Sequence, residues 1–486
     1  MYRTVAQLDQ LTQQLAQTFP QQCTRIQLPE ASVQGRPVFA LRLRGAGSVG
    51  AGRRGVLLIG GVHARELMNP DMLVELAGHL LVSYRDGTDI VLGARVWPAR
   101  DVRVMLDSLD IHLVPCTNPD GREYVMTVDD MWRKNRRVNQ GSSCVGVDLN
   151  RNADFVWGVT EGQTSCQPCA DTYVGSAAMS EPEARNVRHL LDTHRVDAFA
   201  DVHSFSELVL YPWGHANTQT TDPTQRFTTL ATGTCQPLPN PFYKEYMLPR
   251  DLQRFTTVAQ RVVGAISDVR GRVYTPEPGR GLYATTGTNS DYAYSRHIAD
   301  PAKHKTYGFT LETGPDVGDP RESFHPADPE PIKREAESGV LALIQQSICA
   351  IELIGTQALG GLDEVDALRR IRDDTLGRTR PGREWISLFE RIQPAVVRAV
   401  ATDDRFATHA ADAIVRAARL SSDHAQRLDA ATVTDLLALI QNLDEQAASP
   451  EIHAGVNAVR HLLHRMTDHT AADALKDMTR RGPRLG

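Results

Sequence analysis

From about residue 38 to residue 350, short apolar runs alternate with stretches in which apolar residues recur every three or four positions. That alternation predicts strands and helices layered on one another around a largely parallel sheet. Four runs read as strands: VLLIG (56–60), DIHLVPC (110–116), DAFADVH (197–203) and YGFTLE (307–312). Two helices are marked at their starts. MLVELAGHLLVSY (72–84) follows Asn69-Pro70-Asp71, and Ser180-Glu181-Pro182-Glu183 has the form of a capping box with an early proline ahead of EARNVRHLLDTH. Past Ile354 the texture changes to Ala-, Leu-, Arg- and Asp-rich runs of helical period, among them LDEVDALRRIRDDTLG, EWISLFERIQPAVVRAVA and ATHAADAIVRAARL, with breaks such as RTRPGRE (378–384) expected as turns. The predicted fold is therefore α/β: a mixed, largely parallel central sheet flanked by helices over residues 1–354, then a C-terminal all-helical appendage over residues 355–486.

Composition narrows the field. A chain of 486 residues with 41% hydrophobic and 23% charged content is ordinary for a globular protein with more than one unit. Its net charge of -6 offers no basic footprint for phosphates, so nucleic acid is not an expected partner. No stretch reaches the roughly 18 apolar residues of a membrane helix, so no membrane is expected either. The opening MYRTVAQLDQLTQQLAQ is amphipathic, without a basic start or an unbroken apolar segment, and is not read as a signal peptide, which makes a cytoplasmic location the default expectation. Seven cysteines are too few for a disulfide scaffold. Three of them, Cys144, Cys166 and Cys169, fall in a Gly/Ser/Gln/Pro-rich stretch that reads as one loop disulfide in an oxidising compartment, with a redox or zinc-binding CxxC at Cys166 and Cys169 as the lesser alternative.

The polar residues that end the strand runs are of one kind. His63 and Glu66 follow the first run in GGVHARELMNPD (60–71), His203 closes the third and Glu312 closes the fourth. In open α/β sheets ligands bind at the carboxyl ends of strands, so these residues are expected to converge on one crevice. Two imidazoles and a carboxylate suit zinc, at about 2.0 to 2.2 Å per bond with a fourth position open to water. HxxE alone occurs by chance in many proteins; the weight lies in the constellation. His461, His464 and His469 near the C-terminus have no evident cysteine or carboxylate partner and read as part of a polar helical face.

On these residues the chain resembles the zinc carboxypeptidases of the carboxypeptidase A/B type. HARE (63–66), VHSFSE (202–207) and FTLE (309–312) match the family's ligand and catalytic segments, and WRKNR (132–136), CVGVDLNRN (144–152) and LYATTGTNSDY (282–292) follow in the family's order over about residues 1–350. The resemblance implies one Zn2+ held by His63, Glu66 and His203, with Glu312 as general base and Arg133 at the scissile carbonyl. It also implies Asn150 and Arg151 at the substrate's terminal carboxylate, Tyr283 on a mobile loop over the substrate, Arg65 on the cleft wall and Ser290 at the position that selects the terminal side chain. Serine there points to neutral or apolar C-terminal residues or a broad preference; a shift of one position would put Asp291 in the pocket and favour basic residues. Cys144 and Cys169 stand where secreted relatives carry a disulfide, which sets a secreted location against the cytoplasmic default. Phe205 stands where the family commonly has tyrosine.

The implied function is hydrolysis of the C-terminal peptide bond of peptides or proteins. Two alternatives remain: an amidohydrolase of the same fold acting on cell-wall peptides, polyglutamate or amino-acid conjugates, and a non-catalytic binding module. The helical tail is expected to bind a partner or to oligomerise.

Overall fold

In the computed structural model of the chain, eight strands form one mixed sheet: β1 (Cys23–Gln27), β2 (Phe39–Leu43), β3 (Gly55–Gly60), β4 (Asp110–Val114), β5 (Val196–His203), β6 (Leu208–Tyr211), β7 (Thr275–Pro278) and β8 (Tyr307–Glu312). Their order across the sheet is β1-β2-β4-β3-β5-β8-β6-β7. The four runs anticipated from sequence are the four adjacent central strands β4-β3-β5-β8, and every pairing among them is parallel. All six residues of β3 and all eight of β5 are buried, which is why these strands read as apolar runs and not as alternations. The flanking strands escape such a reading: β1 and β2 are half-buried with interspersed polar residues, and the edge strand β7 is the proline-bearing TPEP. The structure describes residues 2–45, 53–216, 218–230, 235–238, 240–348, 354, 368, 371–422, 427, 429–446 and 450–483.

The chain divides into two compact units, Met1–Ser347 and Ile348–Gly486. In the first unit, helices α1 (Val5–Thr18), α2 (Met68–Asp86), α3 (Ala99–Ser108), α4 (Pro119–Thr127), α5 (Pro182–Thr193), α6 (Pro249–Arg270), α7 (Asn289–Ala299) and α8 (Glu330–Ser347) surround the sheet. Helix α8 packs against α2 and α6 and also touches β3 and β5, while α7 lies against β5 and β8. Helix α2 contains the expected MLVELAGHLLVSY and ends at Gly87, whose left-handed φ of 67° lets its N–H close back on Ser83.

The expected capping box at Ser180 does not form. Glu181 is the residue before α5 and makes no side-chain cap, Ser180 Oγ instead donates to Glu181 Oε1 at 2.7 Å, and Glu183 is buried beside Asn135. Pro182 in the first turn carries the helix start by its fixed φ.

In the second unit the described helices are Arg380–Thr402, Asp404–Ser422, Ala430–Gln446, Pro450–Met466 and Ala471–Arg480. RTRPGRE proves to be a helix start and not a turn: Thr379 Oγ1 accepts from the Gly382 amide, and proline and glycine occupy the first turn. Half of the predicted helix LDEVDALRRIRDDTLG (362–377) lies outside the described residues, and Ile371–Thr375 and Leu376–Arg378 form a π turn and a 3-10 turn. No described helix is long and apolar enough to cross a membrane.

Candidate active site

The central sheet order does the assembling. Strands β3, β5 and β8 are consecutive neighbours, so their carboxyl ends lie side by side at spacings of about 4.8 Å. Glu312 is the register partner of His203, and Val202 is the partner of Gly60, from which the chain turns off β3. Gly61 makes that turn at φ 63°, a backbone conformation that side chains rarely adopt, and a Cβ there would meet the Pro70 ring at 2.9 Å. Beyond it, residues 63–66 curl so that the Glu66 amide donates to the His63 carbonyl at 3.2 Å, and both side chains face one point before α2 begins. A strand end and a tight turn thus supply all three donors.

His63 Nδ1 stands 2.7 Å from Glu66 Oε1, His203 Nδ1 is 2.9 Å from Glu66 Oε2, and the two Nδ1 atoms are 3.1 Å apart. Two ring nitrogens cannot approach so closely without a proton or a cation between them. Donors about 2.1 Å from a tetrahedral zinc lie roughly 3.4 Å from one another, so the observed spacing is that of a zinc cage drawn slightly inward. Among the described residues, His63, Glu66 and His203 are the one group of this chemistry, their donor atoms all within 4.8 Å and each residue buried. Burial opposes the charge of Glu66, yet the two imidazoles hold its carboxyl well below the usual range. His203 is likewise desolvated, and Asp201 and Glu66 raise it well above the ordinary histidine range. The donor set fits one zinc ion.

Around this group opens a crevice lined by residues from six separate segments, among them His63, Arg133, Asn150, Arg151, Tyr283 and Glu312. Glu312 is buried, and that burial, with Glu66 nearby, pushes its carboxyl up to about 7 against the opposing pull of His203 and Arg133. Arg133 fixes its guanidinium by donating from Nε and Nη2 to Asp148 Oδ2 at 3.0 and 2.9 Å. Burial works against the Arg133 charge, but Asp148, Tyr283 and Glu66 outweigh it. Arg151 is buried too, its Nε donating to the Gln163 carbonyl and its Nη1 to the Asn150 carbonyl, both at 2.6 Å. Asn150 accepts from the Asn289 amide at 2.9 Å. Tyr283 is the exposed member, 37% open to solvent at the crevice mouth.

The far wall carries small side chains: Ser290 Oγ accepts from Thr310 Oγ1 at 3.1 Å, beside Thr285, Thr288 and Leu210. Asp291 also reaches this wall, with Oδ2 committed to the Gly214 amide at 2.9 Å, and burial raises its carboxyl to about 6. Of the sequence-predicted residues, Arg65 belongs neither to the crevice lining nor to the His63, Glu66 and His203 group; its guanidinium lies over the Phe324 ring at 4.5 Å and donates to the Met131 carbonyl.

These segments coincide with a known sequence pattern. The family profile described as "Zinc carboxypeptidase" matches residues 8–340. The chain belongs to the zinc carboxypeptidase family. It is 28% identical over 314 residues to carboxypeptidase B of Bos taurus (64% of this chain, 62% of the relative) and 30% identical over 299 residues to carboxypeptidase A2 of Rattus norvegicus (61% of this chain, 60% of the relative). The chain thus spans about 60% of the length of these curated relatives. Among solved structures, bovine thrombin-activatable fibrinolysis inhibitor in complex with tick carboxypeptidase inhibitor shares the fold at a TM-score of 0.55 and 22% identity, covering 71% of this chain and 97% of that one.

The structure adds residues to which the sequence reading gave no role. Asp148 stands with Oδ1 3.1 Å from His63 Nε2, and Asp201 with Oδ1 2.9 Å from His203 Nε2. The second had a usable signal, since Asp201 and His203 are two apart on one strand and so share a face. Asp148 had none, because it reaches His63 from residues 128–181, which hold no named helix or strand. Two disulfides tie that segment, Cys144–Cys169 and Cys166–Cys235. The first is the pairing the family resemblance implied. The second went unread because Cys235 lies 69 residues from its partner, and it leaves no CxxC pair at Cys166 and Cys169.

Proposed function

We propose that the Met1–Ser347 unit is a zinc-dependent metallocarboxypeptidase that hydrolyses the C-terminal peptide bond of peptides. The observation that carries this reading is the convergence of two imidazole nitrogens and a carboxylate within 4.8 Å at a crevice that also holds Glu312, Arg133 and Arg151. When bound, zinc supplies a Lewis acid that polarises a carbonyl and lowers the pKa of water from 15.7 to about 7.

The chain's own residues do the rest. Glu312 accepts the proton of the attacking water and returns it to the departing amine, and a carboxyl that titrates near neutrality suits both steps. Arg133, held rigid by Asp148, presents positive charge to the carbonyl oxygen as negative charge gathers there. Arg151, aimed by its two backbone carbonyl contacts and helped by the Asn150 amide, receives the terminal carboxylate, and a mid-chain peptide would leave it unpaired. The hydroxyl- and leucine-lined wall at Ser290 favours a neutral terminal side chain, with Asp291 Oδ2 turned to the Gly214 amide. Tyr283 closes the mouth.

Metal analysis combined with hydrolysis of blocked dipeptides bearing free or amidated C-termini tests the reading. Expected are one zinc per chain, release from free carboxylates alone, loss of activity on chelation, and a fall of about 10² to 10⁴ in kcat for Glu312→Gln with zinc retained. A zinc-loaded protein that releases no terminal residue from any member of a broad panel would refute it.

A further inference from the structure

Asp201 is buried at the centre of the sheet, where a carboxylate is costly unless a positive partner or several donors meet it. It sits on β5 between Ile59 of β3 and Thr310 of β8, so it is closed in on both sides by paired strands. Two residues on, on the same face, is His203. Asp201 Oδ1 lies 2.9 Å from His203 Nε2, an ion-pair contact in which Oδ1 is not aligned as a hydrogen-bond acceptor. Its Oδ2 accepts from Asn289 Nδ2 at 2.9 Å, and the Asn289 backbone amide is anchored on Asn150 Oδ1. The two nitrogens of the His203 ring therefore have different neighbours: Nδ1 faces Glu66 and His63, while Nε2 faces Asp201 at 2.9 Å, with the Asn150 amide nitrogen farther off at 3.4 Å.

His63 is flanked in the same way by Asp148, but with a difference that matters. Asp148 shares its charge with two guanidinium donors of Arg133, whereas among the described residues the ion-pair partner of Asp201 is His203 and its other contact is a neutral amide. A hydroxyl at position 201 would suffice to orient a ring. A carboxylate also strengthens the imidazole as a donor and offsets part of a dication's charge in a buried place.

Resting on the reading of His203 as a metal ligand, we infer that Asp201 is a positioning residue. Its negative charge 2.9 Å from Nε2 favours the tautomer of His203 that carries its proton there and leaves the Nδ1 lone pair for the cation, and it sets how tightly zinc is held. Asn289 holds Asp201 in turn. Neither residue touches substrate in this assignment.

The test is zinc affinity by competition with a chromogenic chelator, measured on the full chain and on Asp201→Asn and Asp201→Ser, with the thermal midpoint of the chelator-treated protein as the check on folding. Zinc binding weaker by about tenfold to a hundredfold in both variants, with midpoints near that of the parent, is expected. Parental affinity in either folded variant overturns the inference. Ring-nitrogen NMR of the zinc-loaded parent, labelled in histidine, reads the same point without a substitution: a protonated Nε2 on His203 is expected, and a proton on Nδ1 overturns it. Weak zinc binding in the variants of a parent that cleaves nothing would uphold this role and remove the proposed activity. Unchanged affinity beside an active parent would do the reverse.

Discussion

At the scale of single residues, the arginines of the crevice are distinguished by what already binds them. Arg133 spends Nε and Nη2 on one carboxylate, while Arg151 spends Nε and Nη1 on two backbone carbonyls that fix its plane without neutralising it. A charge held in place and left unbalanced is suited to a substrate carboxylate. Arg151→Lys keeps the charge but loses the planar fork. It is expected to raise KM for free-carboxylate dipeptides roughly tenfold to a hundredfold, as for the loss of a charged hydrogen bond, with a smaller change in kcat. Steady-state kinetics decide the matter, and an unchanged KM would remove Arg151 from the carboxylate site.

At the scale of elements, β4 carries an unusual burden. His112 at its centre is buried, its ring lies against that of His194 at a tilt of 30° with centroids 4.2 Å apart, and among the described residues neither ring nitrogen has a hydrogen-bond partner. Burial, reinforced by His194 and by Arg42 and Arg44, lowers its pKa to about 3. In the unfolded chain the same histidine titrates near 6.5, so between about pH 6.5 and 3 the unfolded state binds the extra proton. Stability attributable to this site is thus intact above pH 6.5 and drains away as the pH falls. His112→Leu should leave the thermal midpoint near pH 7.5 little changed and should resist acid better than the parent, by roughly 2 to 3 kcal/mol at pH 4.5. Parallel pH profiles for the two proteins would show that the ring is not the acid-sensitive element.

At the scale of the whole molecule, the site depends on a long irregular segment that the sheet does not organise. Residues 128–181 deliver Arg133, Asp148, Asn150 and Arg151, and what holds them is a set of buried amides, such as Asn135 on Glu181 and Asn152 on the Val174 carbonyl, together with the two disulfides. Bridges closing 25 and 69 residues each restrict the unfolded chain by roughly 3 to 4 kcal/mol. Both need surroundings that leave thiols oxidised. Reduction under native conditions is expected to lower the urea midpoint and to weaken substrate binding together, as the segment loosens. A midpoint indifferent to reductant would mean that the amides alone suffice.

Legibility followed physical range. The four central strands, the terminal helical texture and the His63, Glu66, His203 and Glu312 set could be read from the chain, because burial on both faces makes strands uniformly apolar and because polar residues that interrupt such runs at their ends stand out. The capping box at Ser180 was misread because Glu183 is drawn into a buried contact with Asn135, a partner the local sequence does not display. Edge strands, the Cys166–Cys235 bridge and the Asp148 contact to His63 lay beyond reading for the same reason, each depending on a residue distant along the chain. The sequence by itself determined which residue types end which strands, and so the class of metal they could hold. Only the tertiary structure decided that β3, β5 and β8 are neighbours, that His63 and His203 meet across 140 positions of sequence, and that a carboxylate stands behind each ring. Strand order and side-chain aim are set by packing among residues far apart in the chain, and no local pattern carries that information.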